Sequence, residues 1–343
     1  MIFLSKNSSG FAMRLFAFFL VVGGVGMAAS AGKAAEAVFS GDGRRIFLLD
    51  REQGPGQLYA INLANREKLP FGISDLNGQP ILAVDRSNDT TLVCLTPTGL
   101  YAYDLEAEET ALVCGVPAGG EFQDLAVDPV TGMVALTIFF TAEADDSWQL
   151  WVLPPGGREA FATRVRRVSG IRGMAFTEQG EFYFGCDGDL WSGQIYEVGE
   201  SESPGGVLGA YRCAPLATRE TDNATSSQVG VSSIVAVDPW LYVHVSRMGG
   251  SGWGNVVRLA MPAGEVTPEG NPAYPFTVFE HAAAYQKALA SLVDLGENGS
   301  FAYLAVSPDG RTVYFQAAPA GGEIQDWLVI DHGAPQALTL AAP

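Results

Sequence analysis

A strand, a tight polar turn and a second strand recur along this 343-residue chain, and that recurrence leaves few folds open. The clearest copy is Leu304-Ala305-Val306-Ser307-Pro308-Asp309-Gly310-Arg311-Thr312-Val313-Tyr314-Phe315, and the first is Ala37 to Leu48 around Ser40-Gly41-Asp42-Gly43. Weaker copies run from Leu82 to Leu95, Leu125 to Leu136, Met174 to Phe184 and Ile234 to Val245. In each turn Pro presets φ, Asp or Asn caps the bend with its side chain, and Gly accepts a positive φ, so each copy reads as a β-hairpin.

Taking Gly43, Asn88, Gly132, Gly180, Pro239 and Gly310 as markers, the spacings are 45, 44, 48, 59 and 71 residues. The shorter spacings match a four-stranded propeller blade, at roughly 40 to 50 residues. A third strand follows each hairpin, at Gln57 to Leu63, Gly99 to Leu105, Trp148 to Leu153, Gly193 to Val198, Asn255 to Met261 and Gln325 to Ile330. Less regular fourth strands follow, such as Thr110 to Cys114 and Gln336 to Leu340. A β-sandwich also has strands at short intervals, but repeated turn chemistry favours an all-β propeller of about six four-stranded blades. The alanine-rich stretch Phe279 to Ala290 predicts a short helical insertion before the last blade. The alternative is a seventh, degenerate blade between Ala263 and Gly299.

Ser307-Pro308-Asp309-Gly310-Arg311-Thr312-Val313-Tyr314-Phe315 resembles the WD40-like repeat of periplasmic propellers of the TolB type. The stretch Phe39 to Phe47 resembles it less closely, with Gly41 in place of Pro, and the helical domain that precedes the propeller in TolB is missing. The resemblance implies a scaffold used for protein or ligand contacts and implies no activity.

The N-terminus reads as a secretory signal over residues 1–31: Lys6 and Arg14 precede an apolar run from Leu15 to Ala29, followed by small residues at Ala29-Ser30-Ala31. That run is shorter than the roughly 18 to 20 residues of a spanning helix, so the expectation is a single propeller domain over 32–343, exported to the periplasm or medium and not membrane-inserted. The net charge of −18 falls to −20 once Lys6 and Arg14 leave. With no clustered Lys and Arg to release counterions from phosphates, nucleic acid is excluded as a partner, and an anionic membrane surface is disfavoured. A monomer is expected. The four cysteines, in an exported chain, suggest Cys94 with Cys114 and Cys186 with Cys213. Against this, second and fourth strands of one blade lie roughly 9.5 Å apart, beyond the roughly 7 Å that a disulfide allows.

No phosphate-binding loop, zinc-protease helix, Cys-x-x-Cys pair or nucleophile elbow occurs, and the dinucleotide-like Gly24-Val25-Gly26-Met27-Ala28-Ala29 falls in the leader. The histidines are His244 on a strand, His281 at the start of the alanine-rich stretch and His332 in a turn; none points to a triad. In a propeller the loops joining second to third strands share a face with the links between blades. That face would carry Glu52, Asp75, Glu121, Asp145, Asp146, Asp187, Asp189 and Asp222, with Trp148, Trp191 and Trp253. The candidate ligand-binding residues are Asp145, Asp146, Asp187, Asp189, Trp191, Arg247 and Trp253, the last two on the glycine-rich loop Arg247 to Gly254. Asp187 and Asp189 are candidate oxygen ligands for Ca²⁺, although the spacing matches no calcium loop. The expected function is a non-catalytic propeller that binds a protein or small ligand on this face, without cofactor. The alternative is a calcium-dependent hydrolase of lactonase type.

Overall fold

The computed structural model describes residues 36–50, 56–73, 76, 78–141, 147–167, 170–186, 189–196, 206–215, 229–247, 254–260, 290–294, 300–318 and 323–341. These form six four-stranded sheets, each a simple antiparallel meander. The first holds β1 (Ala37–Phe39), β2 (Arg45–Asp50), β3 (Gln57–Asn62) and β4 (Glu67–Pro70). The second holds β5 (Ala83–Arg86), β6 (Thr91–Leu95), β7 (Gly99–Asp104) and β8 (Glu109–Gly115). The third holds β9 (Gly120–Val127), β10 (Val134–Phe140), β11 (Ser147–Leu153) and β12 (Phe161–Arg167). In the fourth are β13 (Ile171–Phe176), β14 (Phe182–Cys186), β15 (Asp189–Tyr196) and β16 (Gly206–Pro215). The fifth comprises β17 (Val229–Val237), β18 (Trp240–Arg247), β19 (Gly254–Ala260) and β20 (Ala290–Asp294), and the sixth β21 (Ser300–Val306), β22 (Thr312–Ala318), β23 (Gln325–Ile330) and β24 (Gln336–Ala337).

The first strand of each sheet touches the first strand of the next, from β1 through β5, β9, β13 and β17 to β21, and β21 returns to β1. The sheets are therefore propeller blades around a central channel. Buried clusters fill the seams between blades. Phe47, Leu49, Val84 and Leu92 pack between the first two, and Phe39, Ile46, Leu48 and Tyr314 join the last to the first. Each such side chain contributes roughly 1.5–3 kcal/mol when fully buried. Among the described residues the first and last blades close the ring without sharing a strand. Instead Leu338 joins the last seam, and the Ala341 N–H donates to the Arg66 carbonyl at 2.8 Å.

The two turns with the strongest repeat signal fold alike. The Ser40 hydroxyl donates to Asp42 Oδ1 at 2.6 Å, the Arg44 N–H donates to the same oxygen at 3.0 Å, and the Arg45 N–H donates to Ser40 Oγ at 2.9 Å. Ser307, Asp309, Arg311 and Thr312 repeat these bonds at 2.6, 3.0 and 2.9 Å. Gly43 and Gly310 take φ of 68° and 70°, where a Cβ would be strained. The serine hydroxyl, then the backbone N–H, holds both carboxyls below the usual range.

Several expectations change. The predicted helix at 279–289 lies outside the described residues, and Ala290 opens β20, which pairs with β19. That part of the stretch considered for a seventh blade instead completes the fifth sheet. The third strand of the fourth blade starts at Asp189 and not at Gly193, because Leu190 is buried and Trp191 stacks on Phe184. The Cys94–Cys114 bridge does not form: both are buried free thiols. Cys94 lies on β6 opposite Tyr101 of β7, while Cys114 on β8 faces Leu100, so a whole strand separates them. Burial raises their pKa values to about 12 and about 11, which keeps both thiols protonated and unreactive. The side chains of Cys186 and Cys213 lie outside the described residues.

Candidate functional site

Each inner strand leaves one backbone edge facing the channel, and those N–H groups need a partner or water. Aligning the strands by their turn registers brings one position into a column. It holds Val38, Asp85, Ala126, Ala175, Ala236 and Ala305, each paired with the second strand of its own blade. Five members are small or aliphatic; the second blade alone supplies an acid. Asp85 accepts the Arg86 N–H at Oδ1 (2.7 Å) and, across the seam, the Val127 N–H of β9 at Oδ2 (2.8 Å). Desolvation raises its pKa to about 6, against the lowering effect of those two N–H groups and of the Arg86 charge. Arg86 extends toward the turn, where Nη1 pairs with Asp89 Oδ1 at 3.1 Å.

Asp85 and Arg86 line a cavity of about 130 Å³ in the channel. Its other walls come from the turn-proximal halves of all six inner strands: Phe39, Val84, Val127, Phe176, Val237 and Val306 each contribute. The cavity thus opens toward the turns between first and second strands. Two neutral devices support the wall. The Thr137 hydroxyl donates to Met174 Sδ at 3.3 Å, and Gly173, with φ of 60°, lies so close to Ser233 that a Cβ would meet its backbone at 3.0 Å.

Of the residues singled out from sequence, Asp189, Trp191 and Arg247 are described, and they sit at the opposite end of the ring. Asp189 pairs with Cys186 at the tip of the β14–β15 hairpin, and Arg247 ends β18. Trp191 is half-buried on Phe184, with ring centroids 6.4 Å apart and planes at 16°. Trp148 leans on Phe139, and Glu121 is exposed on β9. Asp145, Asp146, Asp187 and Trp253 lie outside the described residues, as do Glu52, Asp75, Asp222 and His281. Among the described residues no three His, Cys, Asp or Glu side chains come together as a cation site. His244 is buried opposite Ser233, and burial lowers its pKa to about 4, so it is neutral at neutral pH. His332 is exposed in a turn. Sequence reading missed Asp85 because an acid beside an arginine looks like a solvated strand end. Stacking the repeats column by column would have exposed it among alanines.

No family model matches the chain, and no curated protein matches its sequence. Solved structures match its shape. A luciferin-regenerating enzyme aligns with a TM-score of 0.57 at 8% identity, over 91% of this chain and 96% of that one. A protein provisionally named gluconolactonase aligns at 0.51 and 12%, over 90% and 91%. The calcium-binding protein regucalcin from Agrobacterium tumefaciens aligns at 0.50 and 12%, over 83% and 82%. At these identities the likeness shows the fold alone, and that fold is a β-propeller.

Proposed function

We propose that this chain is an exported, monomeric, six-bladed propeller that binds a small ligand non-catalytically in the turn-side mouth of its channel. The observation that carries this reading is the channel lining, where aliphatic and aromatic side chains from every blade surround Asp85 and Arg86. Such a pocket, apolar with few placed polar groups, is the usual form of a small-ligand site. The TolB-type repeat fits a scaffold for binding and adds no chemistry.

The test is a fragment screen by ligand-observed NMR on the mature chain and on Ala236→Phe, which fills the channel from β17. Hits that bind the natural chain and vanish in the variant support the reading. Hits that survive the plug place binding elsewhere and defeat it.

A second reading is a calcium-dependent hydrolase whose ion would be held by oxygen ligands at the other end, with Asp187 and Asp189 as candidates. It is favoured by the likeness in fold to a calcium-binding protein. Stoichiometric Ca²⁺ in the purified chain, with a melting temperature that drops by several degrees on chelation and recovers with Ca²⁺, would favour this reading over the first.

A further inference from the structure

We infer that the ligand of the channel is a small organic ammonium ion with an apolar body, anchored on the carboxylate of Asp85. This rests on the reading of the channel as a ligand site and names the chemistry it selects. The scaffold can do without an acid at this position, since the equivalent residues in the other five blades are Val38, Ala126, Ala175, Ala236 and Ala305. An acid there carries a desolvation cost that neither backbone N–H group cancels. Each carboxylate oxygen takes one backbone N–H and keeps capacity for a second donor, which an ammonium group supplies.

The surroundings decide the kind of cation. A calcium ion needs six to eight oxygen ligands. The wall around Asp85 instead offers hydrocarbon from Val84, Val127, Phe176 and Val306, which suits a cation with an alkyl or aryl body. The cavity of about 130 Å³ has room for a ligand of the order of ten non-hydrogen atoms. Arg86 is the competing charge, but Asp89 already holds its Nη1. The other charged groups on or beside the strands packed against β5 are acids, Glu121, Asp124 and Asp128 by β9 and Glu36 before β1; β6 contributes none. A net charge of −18 raises the local concentration of cations around the whole molecule.

The experiment titrates the mature chain with three probes of equal length, n-hexylammonium, 1-hexanol and hexanoate, at pH 8 and pH 5, and repeats this with Asp85→Asn and Glu109→Gln. At pH 8 the natural chain is expected to bind hexylammonium at least about tenfold more tightly than either other probe. That preference falls about tenfold between pH 8 and pH 5 as Asp85 takes up its proton, and it is absent in Asp85→Asn. The Glu109→Gln variant, altered on the exposed outer strand of the same blade, keeps it. If hexanol or hexanoate binds as well as hexylammonium, or if Asp85→Asn keeps the preference while retaining its strand signal and cooperative melt, the ammonium inference falls and the channel remains a ligand site. If none of the three binds, the inference falls, and the fragment screen decides separately whether the channel reading falls with it.

Discussion

The inner strands of the second and last blades run through the same register with opposite contents. On β21, Ala305 is 1% exposed, packs into the seam with Ala37, Phe39 and Tyr314, and brings only a methyl group to the channel wall. On β5, the matching Asp85 is only half-buried, reaches across the seam to the Val127 N–H and fronts the channel cavity. Both strands meet their neighbours and both hairpins close on the same backbone pairing, so the propeller does not require the acid. The difference teaches where to look for function in a repeat protein: at the copy that departs from its column at a cost in stability.

The largest effect should come from forcing the last blade to resemble the second. In Ala305→Asp a carboxylate enters a position that is only 1% exposed and has no residue built to receive it, and urea unfolding at pH 8 should show a loss of about 3 kcal/mol or more, smaller below pH 5 where the group is protonated. Stability like that of the natural chain at pH 8 would mean that any inner strand accepts an acid, and the comparison would lose its force.

A smaller effect, with the opposite pH dependence, is expected from Asp85→Asn. The carboxyl's pKa is raised in the folded state to about 6 from an ordinary value near 4, so the native chain binds the proton more readily than the unfolded one. The contribution of Asp85 is therefore most favourable below pH 4 and is lost as pH rises through 6. Asp85→Asn removes that loss but turns an amide NH2 toward one of the two backbone N–H groups, so its stability relative to the natural chain should improve by about 1–2 kcal/mol from pH 4 to pH 8. His244, neutral in the fold, works the other way: its stability is full above pH 6.5 and lost as pH falls toward 4, and it cancels because both chains carry it. A gap between the two chains that is the same at pH 4 and pH 8 would mean that the acid carries no such cost.

Much of the fold was legible in the sequence because a hairpin turn is local chemistry. Ser40-Gly41-Asp42-Gly43 and Ser307-Pro308-Asp309-Gly310 carry within six residues all the groups that close their turns, and the structure makes those bonds with equal distances. The third strands of the first, second and sixth blades fall within a residue of their predicted bounds for the same reason. The start of β15 is hidden in the sequence because Ser192, Gly193 and Gln194 interrupt the apolar pattern after Leu190 and Trp191, and the stacking of Trp191 on Phe184 is a contact between strands that local pattern does not show. The Cys94–Cys114 pairing failed on strand order, which places β7 between the two thiols. The candidate site was the least legible part. Acids and tryptophans in loops attracted notice at one end of the ring, while Asp85 owes its importance to the Val127 N–H forty-two residues away and to five blades that lack it.

The most direct test of the account is methyl and indole NMR mapping of the mature chain with saturating n-hexylammonium at pH 8. The account predicts shifts confined to the turn-side mouth, at the methyls of Val84, Val127, Val237 and Val306, with the Trp191 indole unmoved. Shifts centred on Trp191 and the β14–β15 tip, with silent channel methyls, would contradict it and return the ligand to the opposite face.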